Sequence, residues 1–272
     1  MLKIEQAPPH PQLAPYISAF VQRDFRISGS ASEEPVVARL GLMLEFQFRD
    51  LYQVAAFDVD LGDRCSPVTV IGPISRRRVR LVIRGTVSAL AVIFTPSGFH
   101  RLFGVPASPL AEMGTEGHAV LGAGISNIYQ QLGNTDAFAR RVMLLNRFFL
   151  NRRQRHNSRQ DALIGLSALL TPSARPSVAQ IAKNTGLSSR QLERRCLEYF
   201  GVSPVMLARI SRFQRALKLS LASTDSLLRV AHASDYYDQM HMVRDFHAFA
   251  GGPPMRTLAS LAPHHLIHFQ RS

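Results

Sequence analysis

The sequence lacks any apolar run approaching the ~18 to 20 residues that a membrane span requires, and its first ten residues, Met1 to His10, lack the apolar core of a secretory signal. A cytoplasmic protein with no membrane partner is expected. Cysteine is nearly absent: Cys65 and Cys196 lie far apart, and neither has a second metal ligand at finger-like spacing. A disulfide framework and a zinc finger are therefore not indicated, and both thiols are expected to be inert. His10, His100 and His118 are scattered and form no His-x-His strand, so no metal and no cofactor is expected. Lysine occurs only at Lys3, Lys183 and Lys218, and no low-complexity tract interrupts the 272 residues.

Arginine is what the chain has in excess. Thirty-two basic residues against 19 acidic ones give a formal net charge of +13. Such a surplus favours a polyanionic partner, because Lys and Arg displace condensed counterions from phosphates, and the planar Arg fork suits phosphate and guanine edges. A GC-rich genome accounts for part of the same bias, so charge by itself does not decide for nucleic acid.

With 46% apolar residues, the chain is long enough for two domains that each bury a core. From about Val36 to Phe94 the pattern has period two. Leu40, Leu42, Leu44, Phe46 and Phe48 alternate with Gly41, Met43, Glu45, Gln47 and Arg49, which places one set on a buried sheet face. Ala55, Phe57, Val59 and Leu61 alternate with Asp58 and Asp60, and Val79, Leu81 and Ile83 with Arg80 and Arg84. A small antiparallel β domain follows. Pro96 to Phe103 fits one short helix, and Phe138, Val142, Leu145 and Phe149 recur at helical spacing behind Thr135-Asp136. Asn151 to Arg159 reads as a solvated helix end and linker. The expected division is a β-rich domain over 1–134, a helix and basic linker over 135–160, a helical domain over 161–262 and a tail over 263–272. The fold class is α+β.

The helical third contains two related units. In the first, a helix built on Val178, Ile181 and Ala182 stops at Gly186, which permits the left-handed turn of a helix-turn-helix. Ser188 with Gln191 forms a capping box for a second helix. Leu192 and Cys196 point inward, which leaves Ser189, Arg190, Glu193 and Arg194 outward near its start, where a major-groove helix presents its reading side chains. Ser203 and Pro204 then begin a long helix with the stripe Met206, Ile210, Phe213, Leu217 and Leu221. The second unit runs through Leu227, Val230 and Ala231, turns near Asp235 and restarts at Asp238, with Val243 and Phe246 inward. Tyr237, Gln239, Met240, His241 and Arg244 face outward. Gln and Arg suit adenine and guanine edges, while His, Tyr and helix-start amides more often hold phosphates.

These residues in this order resemble the DNA-binding domain of the AraC/XylS family of bacterial regulators. The resemblance rests on Ile181-Ala182, Gly186-Leu187-Ser188, Gln191-Leu192-Glu193-Arg194 and Gly201-Val202-Ser203-Pro204. It continues through Arg212, Ala216, Leu219, Tyr236-Tyr237-Asp238-Gln239, His241, Arg244, Phe246 and Gly251 to Pro254. Asp235 stands where a glycine is usual, Cys196 where an aromatic is usual, and Met242 departs in a similar way. The resemblance implies that both recognition helices enter successive major grooves of double-stranded DNA. The base readers would be Arg190, Glu193 and Arg194, then Gln239, Met240, His241 and Arg244.

Leu13 to Phe20, Gly72-Pro73, Phe94 to Phe99 and Gly104-Val105-Pro106 are similar to one branch of the family. The resemblance there implies a cupin-like front domain that senses a small-molecule effector, which it does not name. It also implies RNA polymerase as a partner and favours activation over repression. Tyr16, Phe20, Phe46, Phe48 and Phe57 suit an effector pocket or a packed core, and the core is favoured. Arg76 to Arg80 reads as a solvated charge run rather than an anion site. Met143, Leu144 and Phe148 sit beside the main stripe of the 135–151 helix, so a homodimer through that helix is an expectation.

Two alternatives compete. A DNA-repair methyl acceptor fused to a similar helix-turn-helix domain requires an activated thiolate, and Cys65 in Asp63-Arg64-Cys65-Ser66-Pro67 has no metal, His or Glu cluster around it. A non-specific architectural binder would show one salt slope on every duplex, at odds with two recognition helices bearing distinct faces. The expectation is a sequence-specific regulator that is not an enzyme.

Overall fold

The computed structural model describes residues 2–56, 63–76, 79–155, 182–183, 186–223 and 225–261. An antiparallel sheet domain precedes a helical domain. The sheet comprises β1 (Lys3–Ala7), β2 (Ile17–Pro35), β3 (Met43–Gln47), β4 (Gln53–Ala56), β5 (Asp63–Arg64), β6 (Val68–Ile71), β7 (Val79–Phe94) and β8 (Gly114–Glu116). Its order is β1-β2-β7-β3-β6-β8, with β4 pairing β7 and β5. The 16-residue β7 is the spine. β2 runs along one of its edges, and the other edge is shared, with Ala89 to Ile93 pairing β3 and Val79 to Val82 pairing β4.

The period-two stretch from Val36 onward begins too late to include β1 and β2. The 19-residue β2 mixes Arg23, Asp24 and Arg26 with apolar residues and shifts register between Ile27 and Ser32, where Gly29 has φ +92°. A bulge resets which side chains face inward, so no single alternation spans the strand. The expected alternation in β3 also needs correcting. Leu44 and Phe46 are buried as read, but so are Met43, Glu45 and Gln47. Both faces of this central strand are covered: Leu44 and Phe46 pack against helical residues, and Met43 and Glu45 line a cavity with Val54, Leu81 and Met113.

The helices α1 (Gly98–Phe103), α2 (Gly117–Leu121), α3 (Gly124–Gly133) and α4 (Phe138–Arg155) follow or flank β8. Leu44, Phe46, Leu90 and Phe94 meet Phe99, Phe103, Ile128, Leu145 and Phe149 in one core. Phe94 packs edge-on against Phe99, Phe103 and Phe149. Burying each such Phe or Leu contributes about 1.5–3 kcal/mol. Phe20 and Phe46 belong to this core, and Phe48 stacks on Tyr129. The core reading of these aromatics holds; Phe57 lies outside the described residues. Within α4, Leu145 and Phe149 are fully buried as the stripe predicts, and Met143 is 64% exposed. Periodicity gives no hint that Arg141 is 1% exposed on the same inner face. There its Nε donates to the Leu132 carbonyl, its Nη1 donates to Gln22, and its guanidinium lies 3.9 Å from the Phe48 ring centre.

The helical domain contains α5 (Ser189–Phe200), α6 (Pro204–Ala222), α7 (Leu227–Ala233), α8 (Gln239–Ala250) and α9 (Pro254–Ser260). Its core gathers Leu192, Cys196, Ile210, Phe213, Leu217, Met242 and Phe246. Val37 and Ala38, which belong to the front domain in sequence, are buried in this second core. The Ala38 N–H donates to the Phe249 carbonyl at 2.9 Å, and the Ala107 N–H donates to the Glu198 carbonyl at 2.8 Å. Gly201 ends α5 with φ +71°, and a Cβ there would lie 2.7 Å from Pro73 and 3.0 Å from the Ala107 carbonyl oxygen. Glycine is thus needed twice over, for the left-handed cap and for the close approach of the two domains. Among the described residues no helix is long and apolar enough to cross a membrane.

Candidate nucleic-acid interface

Each unit turns as its sequence implies. The first helix of the first unit lies largely outside the described residues, with Ala182 and Lys183 helical at its visible end. Gly186 takes φ +67°, and Ser188 caps α5: its side chain accepts from the Gln191 N–H at 3.3 Å while Gln191 accepts from the Ser188 N–H at 2.8 Å. In the second unit, Ser226 caps α7, and Asp238 caps α8 by accepting from the His241 N–H at 2.6 Å. The reciprocal cap of α5 and the one-way cap of α8 satisfy first-turn donors and fix where each helix begins.

Leu192 and Cys196 are fully buried, and Ser189, Arg190, Glu193 and Arg194 are all exposed on the opposite face of α5. That face also lines a groove whose other wall is Pro106 and Ser108 of the front domain. On α8, Met242 and Phe246 are buried, while Tyr237 is 86% exposed, Met240 59% exposed and Arg244 exposed. Gln239 and His241 are half-buried, and the His241 ring packs edge-on against Tyr236, 5.3 Å between centres. Val243 is half-buried rather than fully inward. The two faces therefore differ: α5 presents free polar side chains, and α8 presents a mixture of free and packed ones.

The 19-residue α6 joins the units, a span of about 28 Å at ~1.5 Å per residue. Its arginines hold the domain together. Arg209 pairs with the buried Asp245 at 2.6 Å, and Asp245 also accepts from the Tyr236 hydroxyl at 3.2 Å. Arg212 lies 5.6 Å from the Tyr236 ring centre. Burial, reinforced by Asp245, pushes the Tyr236 hydroxyl above its ordinary range. Arg215 pairs with Asp235, which sits in the left-handed region at φ +64°. The residue standing in place of the usual glycine thus gains a partner that glycine could not have. Sequence reasoning did not find this network. Arg209 and Asp245 are 36 residues apart, and no local spacing ties them. By contrast, Arg190, Arg194 and Arg244 have no ion-pair or hydrogen-bond partner among the described residues.

Neither thiol resembles an activated nucleophile. Burial, with Glu193 nearby, pushes Cys196 up to about 12, and burial with Glu45 does the same to Cys65. His100 is turned to the Val105 carbonyl and the Tyr199 ring. Among the described residues no three His, Cys, Asp or Glu side chains cluster as a metal would need.

Residues 181–260 match the model of a helix-turn-helix domain, and residues 5–116 match that of a domain of unknown function, DUF6597. No curated protein sequence matches the chain. Among solved structures, ToxT from Vibrio cholerae is similar in fold. One of its crystal forms is 12% identical, with a TM-score of 0.52 over 89% of this chain and 99% of that one. ToxT bound to (E)-4-(8-methylnaphthalen-1-yl)but-3-enoic acid is 14% identical, with a TM-score of 0.51 over the same 89% and 99%. Residues 181–260 thus form a helix-turn-helix domain, carried behind an antiparallel sheet domain in an arrangement similar in fold to that of ToxT.

Proposed function

We propose that the chain is a sequence-specific regulator that reads two successive major grooves of double-stranded DNA, α5 entering one and α8 the next. The observation that carries this reading is the pair of capped recognition helices joined by the 19-residue α6. A spacer of about 28 Å is close to the ~34 Å that separates successive major-groove faces on one side of a duplex. Arg190, Glu193 and Arg194 read bases for the first unit, with Ser189 on the backbone. Gln239, Met240, His241 and Arg244 contact the second groove, with Tyr237 on phosphate. The exposed, unpaired arginines of α5 favour the first unit as the source of specificity. The half-buried Gln239 and His241 favour an anchoring role for the second.

Activation through RNA polymerase is favoured by the regulator type, and the front domain supplies the control. ToxT, similar in fold, has been crystallised with a carboxylic acid carrying an apolar body, which supports a small-molecule effector here as well. The exposed Met143 on α4 supports a homodimer through that helix. The decisive experiment is selection of bound fragments from a genomic library by the full-length protein. An enriched motif with two elements about one helical turn, ~10 bp, apart is expected. Fragments captured without any enriched motif would overturn specific reading.

A further inference from the structure

The inward face of the sheet, opposite the helices, encloses a cavity of about 110 Å³. Its walls are mainly apolar, with Val37, Met43, Val54, Ile71, Leu81 and Met113 among them. Into it projects Arg39, which is only 8% exposed. The Arg39 Nη1 donates to the Gly41 carbonyl at 3.2 Å, and Nη2 is buried with no hydrogen-bond partner among the described residues. The two carboxylates on the same wall are already committed. Glu45 is ion-paired with Arg23, and Glu112 accepts from the Ser75 N–H at 2.7 Å and from the Ser75 hydroxyl. A buried guanidinium with an unused donor is costly unless an anion meets it. Consistent with that, burial pushes Arg39 down to about 10, with Glu45 offsetting part of the shift.

We infer that this cavity is a binding site for a short-chain monocarboxylate, its two oxygens meeting the Arg39 fork and its hydrocarbon body lying against the apolar walls. The assignment rests on the effector-sensing part of the function proposed above. A planar carboxylate matches a guanidinium edge. Arg23, Tyr52 and Thr69 also line the cavity, but Glu45 and Glu112 on the same wall oppose the second charge of inorganic phosphate. Size narrows the class: the cavity corresponds to about three to four waters at ~30 Å³ each, and a hydrocarbon cavity of about 150 Å³ holds a benzene. Acetate and propionate are of that order, whereas benzoate, which is larger than benzene, and a long acyl chain are not.

The site is built into the joint between the domains. Arg39 lies on the segment 36–40, which is fastened to Ile74 by a reciprocal pair of backbone hydrogen bonds of 2.8 and 2.9 Å. One residue earlier, Ala38 is buried in the DNA-binding core and donates to the Phe249 carbonyl at the last turn of α8. A ligand that engages Arg39 therefore holds the strap on which the second recognition helix rests.

Calorimetric titration of the full-length protein with acetate and propionate, each against its primary amide, tests the assignment. Saturable carboxylate binding at least tenfold tighter than the amide is expected, with slower amide exchange over 36–40. Arg39→Gln should bring the carboxylate down to the level of the amide, and its melting transition reports whether it folds. Val54→Phe, which fills the cavity and keeps Arg39, should also abolish binding. Equal binding of acid and amide by the natural protein, or no binding of either acid at millimolar concentration, overturns the proposal whatever the variants do. Fragment selection on the same preparation separates the two readings. An enriched motif without carboxylate binding removes only this site, and carboxylate binding without a motif removes specific DNA reading.

Discussion

Replacing Asp235 by Gly, Asn and Ala separates two opposing contributions at the second turn. Asp235 holds φ +64°, and its carboxylate pairs with Arg215, the two side chains being 22% and 18% exposed. A left-handed conformation costs an ordinary L-residue about 1–2 kcal/mol, somewhat less for Asp or Asn, and glycine almost nothing. The pair lies between the exposed case, about 0.2–1 kcal/mol, and the buried case, about 3–5 kcal/mol for losing one partner, so ~1–2 kcal/mol is the working value. Asp235→Gly loses the pair and regains part of the backbone cost, for a net loss of about 0–1.5 kcal/mol. Asp235→Asn keeps the tolerance of the turn and loses the charge, about 1–2 kcal/mol. Asp235→Ala loses both, about 2–3 kcal/mol. Urea unfolding followed by helix circular dichroism gives the order, provided the slope of free energy against urea is unchanged. The reasoning is refuted if Ala is as stable as Gly, because the backbone contribution would then be nil. It is refuted equally if Asn matches the natural protein, because the ion pair would then contribute nothing.

Arg194→Ala and Arg244→Ala should each cost about 1–3 kcal/mol at the cognate operator and relax preference at one base pair, as competition binding against single-base variants would show. Uniform weakening on all sequences would reassign that arginine to phosphate. Gly98→Ala places a Cβ 1.9 Å from the Tyr16 carbonyl oxygen and should destabilise the front domain by ~2 kcal/mol or more, whereas Gly124→Ala, with open space around the new Cβ, should change stability by less than about 0.5 kcal/mol. Differential scanning of both variants checks this. Ser188→Ala should lower the stability of the DNA-binding domain by about 0.5–2 kcal/mol through loss of the capping box, measured by the same urea unfolding. Cys196 has its folded value raised from 9.0 to about 12, so its contribution is fully present below pH 9 and is lost as pH rises toward 12. Stability measured between these limits should fall with pH, and less steeply in Cys196→Ala. An identical pH dependence in the two proteins would show that the thiol is not responsible.

Much of the DNA-binding half is legible because its signals are local. Capping at Ser188, Ser203 and Asp238, the glycine at 186 and the inward Leu192, Cys196, Phe213 and Phe246 depend on residues within a few positions of one another. The exposure of Arg190, Glu193, Arg194 and Arg244 follows from the same helical period. The front domain is less legible because its strands pair across long separations. β2 meets β7 some 45 to 77 residues later through a bulge, and nothing in its own alternation announces either partner or register.

What the sequence by itself determined is therefore the kind of machine: two capped recognition helices, their outward faces and a sheet domain in front. Tertiary structure alone decided which charged residues are structural and where the domains join. It buried Arg141 and Arg39, paired Arg209 with Asp245 and Arg215 with Asp235, and set Val37 and Ala38 into a core that their sequence position does not suggest. The physical reason is that burial and ion pairing are properties of surfaces brought together by folding, whereas helix phase and capping are properties of neighbours along the chain.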